Sequence, residues 1–481
     1  MSKTTRRDFL GGAALLAALG TAGCRTGGKA VAARPAAGGG AWYKGMLHCH
    51  TALSDGHALP EQALANYRDA GYNFCALTDH NRTVFDAGNW RYVKREVGGW
   101  PYSIVPAQVE NARRRFPDTV KVRDLPDGTQ MVRITPLDEL RRAFNEPNRF
   151  LVLGGVEVTR HLQTPKVNAA VHMNYVNLDG LIESCRDRNM IETYRGEDWD
   201  VRRLIRETRE EVARYAERLG NPPHLFMVNH PLAGVYSVLP EHIIEDETIR
   251  FVEIHNGGAK SVPSAPLDCK GYELDRYWDI INAFRARKGA PLVYGVASDD
   301  THTYPNIGLP EPEIQPEFAH SCVMVRADEL TEAALFGAMA RGDFYAMAGT
   351  PSVEDVSFGK GALRVRAAAR PGETLTVSFV VSKKGFDPSF VEVDSGVRCS
   401  LVPNDTKRTV RHYPDPRIGQ VVRTVTGRPG EAVDASYALA ADDLYVRARI
   451  ESDRPNLEAK LGRTVFTPRG ETAWTQPYSN I

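Results

Sequence analysis

The chain has 481 residues, with 60 basic and 60 acidic side chains and a hydrophobic content of 42%. That length accommodates roughly two to three domains with their own cores. The balanced charge supplies no global basic field of the kind that draws nucleic acid or anionic lipid. Basic runs such as Arg113–Arg114–Arg115 read as solvated surface. Seven cysteines include Cys24; the other six are scattered without a CxxC pair and form neither a disulfide framework nor a thiolate zinc site.

In chain order, residues 4–24 read TTRRDFLGGAALLAALGTAGC. The apolar run is too short to span a bilayer and suits the h-region of a signal peptide. Arg6-Arg7 followed by Phe9-Leu10 resembles the twin-arginine export signal, whose pathway carries folded proteins. The tail TAGC resembles a lipoprotein processing site with Cys24 as the lipidated first mature residue. Simple cleavage stays open, because Thr21 stands where leucine is commoner. The expectation is a periplasmic or cell-envelope lipoprotein, attached to the membrane only through that lipid. Residues 25–42 are rich in Gly, Ala and Pro and predict a flexible tether.

From residue 43 short apolar runs repeatedly end in polar, metal-capable residues. GMLHCH (45–50) leads into Asp55 and His57, and NFCALTDH (73–80) closes on Asp79 and His80. FLVLGGVEVT (150–159) carries Glu157, and AAVHMNYVN (169–177) carries His172. HLFMVNHP (224–231) reaches His230, FVEIHN (251–256) holds Glu253 and His255, and PLVYGVASDDTH (291–302) finishes with Asp299, Asp300 and His302. Their length and Val/Ile/Phe content predict seven buried strands. Helical spacing over 59–72, 201–220 and 274–289 predicts crossover helices, hence a parallel sheet with its polar ends on one rim. Residues 81–149 are an insertion with aromatics (Trp90, Tyr92, Trp100, Tyr102) and basics (Lys94, Arg95, Arg113, Arg114, Arg115), the composition of a substrate wall or lid. Eleven of the 13 histidines lie between 48 and 302. Imidazoles with carboxylates suit zinc, manganese or iron, and more than four ligands imply more than one metal.

These motifs, H-x-H-x(4)-D-G, TDH, a Glu after an apolar run, later single histidines and a final D-x-H, together resemble the PHP (polymerase and histidinol phosphatase) family over about residues 44–305. The resemblance implies a distorted (β/α)7, TIM-like barrel with two to three divalent ions. It would put His48, His50, Glu157 and Asp300 around one metal. Glu157 would bridge to a second, held also by His172 and His230, with Asp55, His80 and His302 on a third. His57 stays an alternative to Asp55; Asp299 is adjacent to Asp300, which completes D-x-H with His302. It also implies a metal-dependent phosphoric ester hydrolase that uses a metal-bridged hydroxide on a small phosphomonoester or phosphodiester. Asp79 would support a ligand, and Asp79 or His255 would protonate the leaving group. Arg82, Arg160 and His161 follow the second and third motifs and could meet phosphate oxygens.

Residues 319–348 predict strand, helix and strand, closing a barrel region of 43–350. Beyond about 351 the period becomes two, in stretches such as ALRVRA and LYVRARI, which predicts an antiparallel β-sandwich to 481. Rival readings are an exonuclease-like enzyme trimming oligonucleotides, a non-catalytic surface binding protein with a metal-stabilised scaffold, and a hydrolase of non-phosphate esters or amides.

Overall fold

The computed structural model describes residues 34–35, 39–81, 90–94, 104–164, 168–178, 192–196, 198–232, 237–257, 274–310, 318–398, 407–456 and 470–480. The segment expected to be an export signal, with Cys24, most of the expected tether, and Arg82, Arg95, Trp100 and Tyr102 lie outside them. The chain divides into residues 1–30 and a compact unit of residues 31–481; all that follows concerns the second.

Seven strands correspond to the seven apolar runs: β1 (Ala41–Met46), β2 (Phe74–Leu77), β3 (Leu151–Gln163), β4 (Asn168–Val176), β5 (Leu225–Val228), β6 (Phe251–Asn256) and β7 (Tyr294–Ser298). They pair in chain order. The contacts of β1 with β2, β2 with β3, β5 with β6 and β6 with β7 are parallel. β4 departs from the expected parallel sheet, running antiparallel to both β3 and β5. Only residues 164–167 separate β3 from β4, and a parallel crossover needs a dozen or more. The path returns to its start beyond β7: His50 N–H donates to Thr301 O at 2.9 Å and Asp300 N–H to His48 O at 3.0 Å.

Apolar side chains from all seven strands, among them Tyr43, Ala76, Leu153, Val176, Met227, Phe251 and Val296, form one buried cluster. Helices cover the outside. α1 (Pro60–Asp69) starts on a proline, which needs no N–H there, and Gln62 Oε1 accepts the Leu59 N–H at 3.1 Å. In the insertion, α2 (Pro106–Arg115), α3 (Leu137–Phe144) and an antiparallel sheet of 90–92, 130–133 and 122–124 pack beside it. α4 (Val201–Arg218) is capped by Asp200 and buries Leu204, Ile205, Val212 and Ala216, a helical stripe. α5 (Pro240–Ile244) and α6 (Leu274–Lys288) precede β6 and β7.

β8 (Ser321–Ala327), α7 (Glu332–Arg341) and β9 (Phe344–Ala348) realise the predicted strand, helix and strand. Beyond them come β10 (Ser352–Gly359), β11 (Ala362–Ala368), β12 (Leu375–Lys383), a hairpin of 391–398 and 407–412, β13 (Gln420–Thr426), β14 (Val433–Ala438), β15 (Asp443–Pro455) and β16 (Gly470–Thr475). One antiparallel sheet is β10–β11–β14. The other runs β13–β12–β15–β16 and continues through β9 and β8 into β1. Val356, Leu363, Val365 and Ala435 of the first share a core with Val377, Phe379, Val446 and Ile450 of the second. The fold is thus mixed α/β around a large many-stranded sheet. Asp279 of α6 receives Arg447 of β15 in a buried bidentate pair at 2.8 and 2.6 Å.

Candidate metal centre

The ligand candidates sit where parallel strands end. His48 and His50 follow β1, one residue apart, and point to the same side because side chains alternate in extended chain. His80 follows β2, Glu157 lies inside β3, His230 follows β5, and Asp300 and His302 follow β7. The reversal of β4 brings His172 to the same place from the middle of a strand, level with Thr159.

Three donor sets result: His48, His50, Glu157 and Asp300; His50, Asp55, His80 and His302; and His80, Glu157 and His172. The donor atoms within each set lie within 4.8 Å of one another. His50 Nε2 is 2.9 Å from Asp300 Oδ1 and 3.3 Å from Glu157 Oε2; His48 Nε2 is 3.2 Å from Asp300 Oδ1. Asp55 Oδ2 is 3.4 Å from His302 Nε2 and 3.8 Å from His80 Nε2. Glu157 Oε1 meets His172 Nδ1 at 3.1 Å and His230 Nε2 at 3.4 Å. The first set is the one expected. The second gains His50, and in the third His80 takes the place expected for His230, which still reaches Glu157. Asp55 rather than His57 contributes to these sets. Asp300 rather than Asp299 does so too: Asp299 instead accepts the backbone N–H groups of Ala319 (2.7 Å), His320 (3.0 Å) and Ser321 (2.6 Å).

The donor chemistry fits divalent cations. Glu157 Oε2 is buried and accepts no hydrogen bond, although His50 Nε2 and His80 Nδ1 lie 3.3 and 2.8 Å away. His48 Nε2 and His50 Nε2 face each other at 3.2 Å, so the geometry converges lone pairs on common points. His302 Nδ1 is 2.8 Å from the Asp300 carbonyl, an arrangement that turns Nε2 toward Asp55 and the donor set. Electrostatics reflect the same crowding. Burial pushes the carboxyls of Asp55, Glu157 and Asp300 up, but the surrounding imidazoles more than reverse this and hold all three below the usual carboxylate range. Burial dominates at His172 and takes its imidazole down to about 4. Two donors, His230 (φ 21°) and Asp300 (φ 52°), sit in the left-handed region, strain that surrounding structure must maintain.

The other expected residues fare differently. Asp79 is buried but faces the turn after His50, accepting Thr51 N–H (2.8 Å), Thr51 Oγ1 (2.8 Å), Ser54 N–H (3.1 Å) and Ser54 Oγ (2.6 Å). It shapes the motif loop. His255 stacks on Trp474 with ring centroids 5.6 Å apart. A β-bulge between Glu253 and His255 breaks the alternation, so Asn256 rather than His255 joins Glu253 at the site. Arg160 points to the opposite face of β3 from Glu157 and Thr159; it is buried, with Nη2 3.7 Å from Glu211 of α4. Alternation therefore removes Arg160 from the rim and keeps His161 on the site's face. Arg82 lies outside the described residues. The sequence singled out Glu253 without a role, and it contacts His48 Nδ1 at 3.1 Å; Asn229, not singled out, donates its Nδ2 to Glu157 Oε1 at 2.8 Å. Both stand beside apolar strand residues, a signal that was present but weak.

The chain is similar to PHP-like metal-dependent phosphoesterases. One solved structure is a two-domain protein from Bacteroides vulgatus containing a predicted PHP-like metal-dependent phosphoesterase. It is 14% identical, with 95% of this chain and 100% of that chain covered, at a TM-score of 0.39. Another, a proposed metal-dependent phosphoesterase from Bifidobacterium adolescentis, is 13% identical, with 56% of this chain and 90% of that chain covered, at a TM-score of 0.25. No family model and no curated protein matches the sequence.

Proposed function

We propose that the protein is an exported metal-dependent phosphoesterase of the PHP type, acting on a phosphomonoester or phosphodiester. In this reading the seven strands form a distorted barrel and residues 351–481 a β-sandwich. The single observation that carries the reading is the overlap of the three donor sets: Glu157, His50 and His80 each belong to two of them. The eight side chains of the three sets, with His230 beside Glu157, would hold two or three ions in such an array. Bound divalent cations would supply charge neutralisation for phosphoryl oxygens and water acidified to a pKa of about 7.

The chain's own residues do the positioning. His80, His172 and His230 are the donors with the most exposed side chains, at 22%, 19% and 11%. That edge is the open side, and substrate enters there. His161, two residues beyond Thr159 on the same face of β3, would meet a phosphate oxygen in this reading. Leaving-group protonation is not assigned to Asp79 or His255, since neither side chain faces the donors.

The test is metal analysis of the purified protein with assays on panels of phosphomonoesters and phosphodiesters. Asp300→Ala should abolish hydrolysis while leaving the circular dichroism spectrum unchanged; retained hydrolysis would refute the site. The proposed export and lipid anchor are read from Arg6-Arg7 and Cys24, and Cys24→Ser should release the protein from the membrane fraction.

A further inference from the structure

Glu253 is buried among the donor sets without belonging to any of them. Its Oε1 contacts His48 Nδ1 at 3.1 Å and accepts the Ser298 hydroxyl. Its Oε2 accepts the His230 backbone N–H at 2.7 Å and Asn256 Nδ2 at 2.9 Å. Four partners fill the four lone-pair sites of a carboxylate. They come from four places in the ring: just past β1, the end of β7, just past β5, and β6. Asn256 extends the contact to Asp300 Oδ2 at 3.3 Å.

Each oxygen has a distinct consequence. An ionised carboxylate can only accept, so the His48 proton is fixed on Nδ1. The His48 Nε2 lone pair then faces Glu157 Oε1 at 3.3 Å and Asp300 Oδ1 at 3.2 Å. The other oxygen holds the backbone of His230, whose φ of 21° is a strained conformation that persists only where neighbouring structure enforces it.

We propose that Glu253 is the positioning residue of this centre, setting the tautomer of His48 with one oxygen and the strained backbone of His230 with the other. The inference rests on the metal-centre reading above. It goes beyond it in giving a non-ligand side chain control over two donors from different strands.

Glu253→Gln tests it with little change of shape. An amide offers one acceptor and one donor group. If its nitrogen faces His48, Nδ1 must accept and the His48 proton moves to Nε2, pointing into the donor set. If its nitrogen faces His230, two N–H donors confront a third and the backbone is released. Either orientation should weaken metal binding by about 10- to 100-fold, the usual effect of removing such a partner. Titration of the chelator-treated full chain with Mn²⁺ or Zn²⁺ measures this, with circular dichroism reporting the fold. Nitrogen-15 imidazole shifts of the unmodified, zinc-loaded protein give a second reading, which should find the His48 proton on Nδ1. Unchanged affinity in Glu253→Gln, or a His48 proton on Nε2, would overturn the role of Glu253 alone. An unmodified chain that binds no cation would overturn the metal centre and this role together.

Discussion

Asp299 and Asp300 are neighbours, both buried, and their carboxylates serve different ends. One fastens residues 319–321 and the other faces imidazoles. The D-x-H spacing with His302 pointed to Asp300, the one that faces imidazoles, because residues two apart share a side of extended chain. Spacing could not expose Arg160 as a non-participant, since that depends on the face of β3 already claimed by Glu157. Away from the centre, Glu373 shows what a buried carboxylate does when only structure is at stake. Burial pushes its carboxyl up, but Arg370 and Ser452 override this and bring it down to about 2. The folded-state value lies below the unfolded one, so this stabilisation is complete above the ordinary Glu range near 4.5 and is lost as pH falls through about 2. Glu373→Gln should flatten the acid limb of the stability–pH curve in that window and cost about 1–3 kcal/mol at neutral pH. Urea unfolding at a series of pH values measures both; an unchanged acid limb would contradict the assignment.

Among elements, the helices around 59–72, 201–220 and 274–289 were legible because apolar spacing and glycine stops agreed, with a proline start at Pro60 for the first. The strand ends were legible because polar ligands interrupt apolar runs. The direction of β4 was carried by the shortness of the link at 164–167, a signal that residue types do not display. The bulge at Glu253 and His255 left no trace in composition, and it alone decides which of FVEIHN faces the donors. The loop after β1 has its own constraint in Gly56. A Cβ there would lie 2.5 Å from the carbonyl carbon and oxygen of His50 and 2.7 Å from Thr51 N. These are backbone atoms that cannot swing aside, so the glycine of the D-G pair is needed for close approach rather than for a turn. Gly56→Ala should displace the peptide joining His50 to Thr51, cost about 1–3 kcal/mol of stability, and weaken cation binding. Thermal unfolding with and without Mn²⁺ would show a smaller metal-induced rise than in the unmodified chain.

For the whole molecule, the C-terminal sheets are bonded to the region that carries the donors. β16 pairs with β9, and Gln476 bonds the backbone of Gly295 in β7 through both ends of its amide, at 2.8 and 2.9 Å. The buried Asp279–Arg447 pair adds a contact that is costly to break from one side, about 3–5 kcal/mol when a partner is removed. Removal of residues 351–481 should therefore give an aggregating or unfolded chain rather than a smaller active protein. Expression of residues 43–350 followed by gel filtration decides the point, and a soluble monomer that binds metal would contradict it.

β1 has a consequence for the order in which the molecule can be assembled. It pairs with β2 on one side and with β8 on the other, so one of the earliest strands synthesised waits for partners 278 to 286 positions away. β9 in turn leaves an edge open until residues 470–475 arrive. Such distant pairings make folding slow, and an unpaired edge is a template for association with other chains. A nascent chain released only after residue 476 has emerged should reach the native state in higher yield than one stalled at residue 400. Ribosome-stalled chains of graded length, probed by protease, would reveal a step gain in resistance when β16 becomes available.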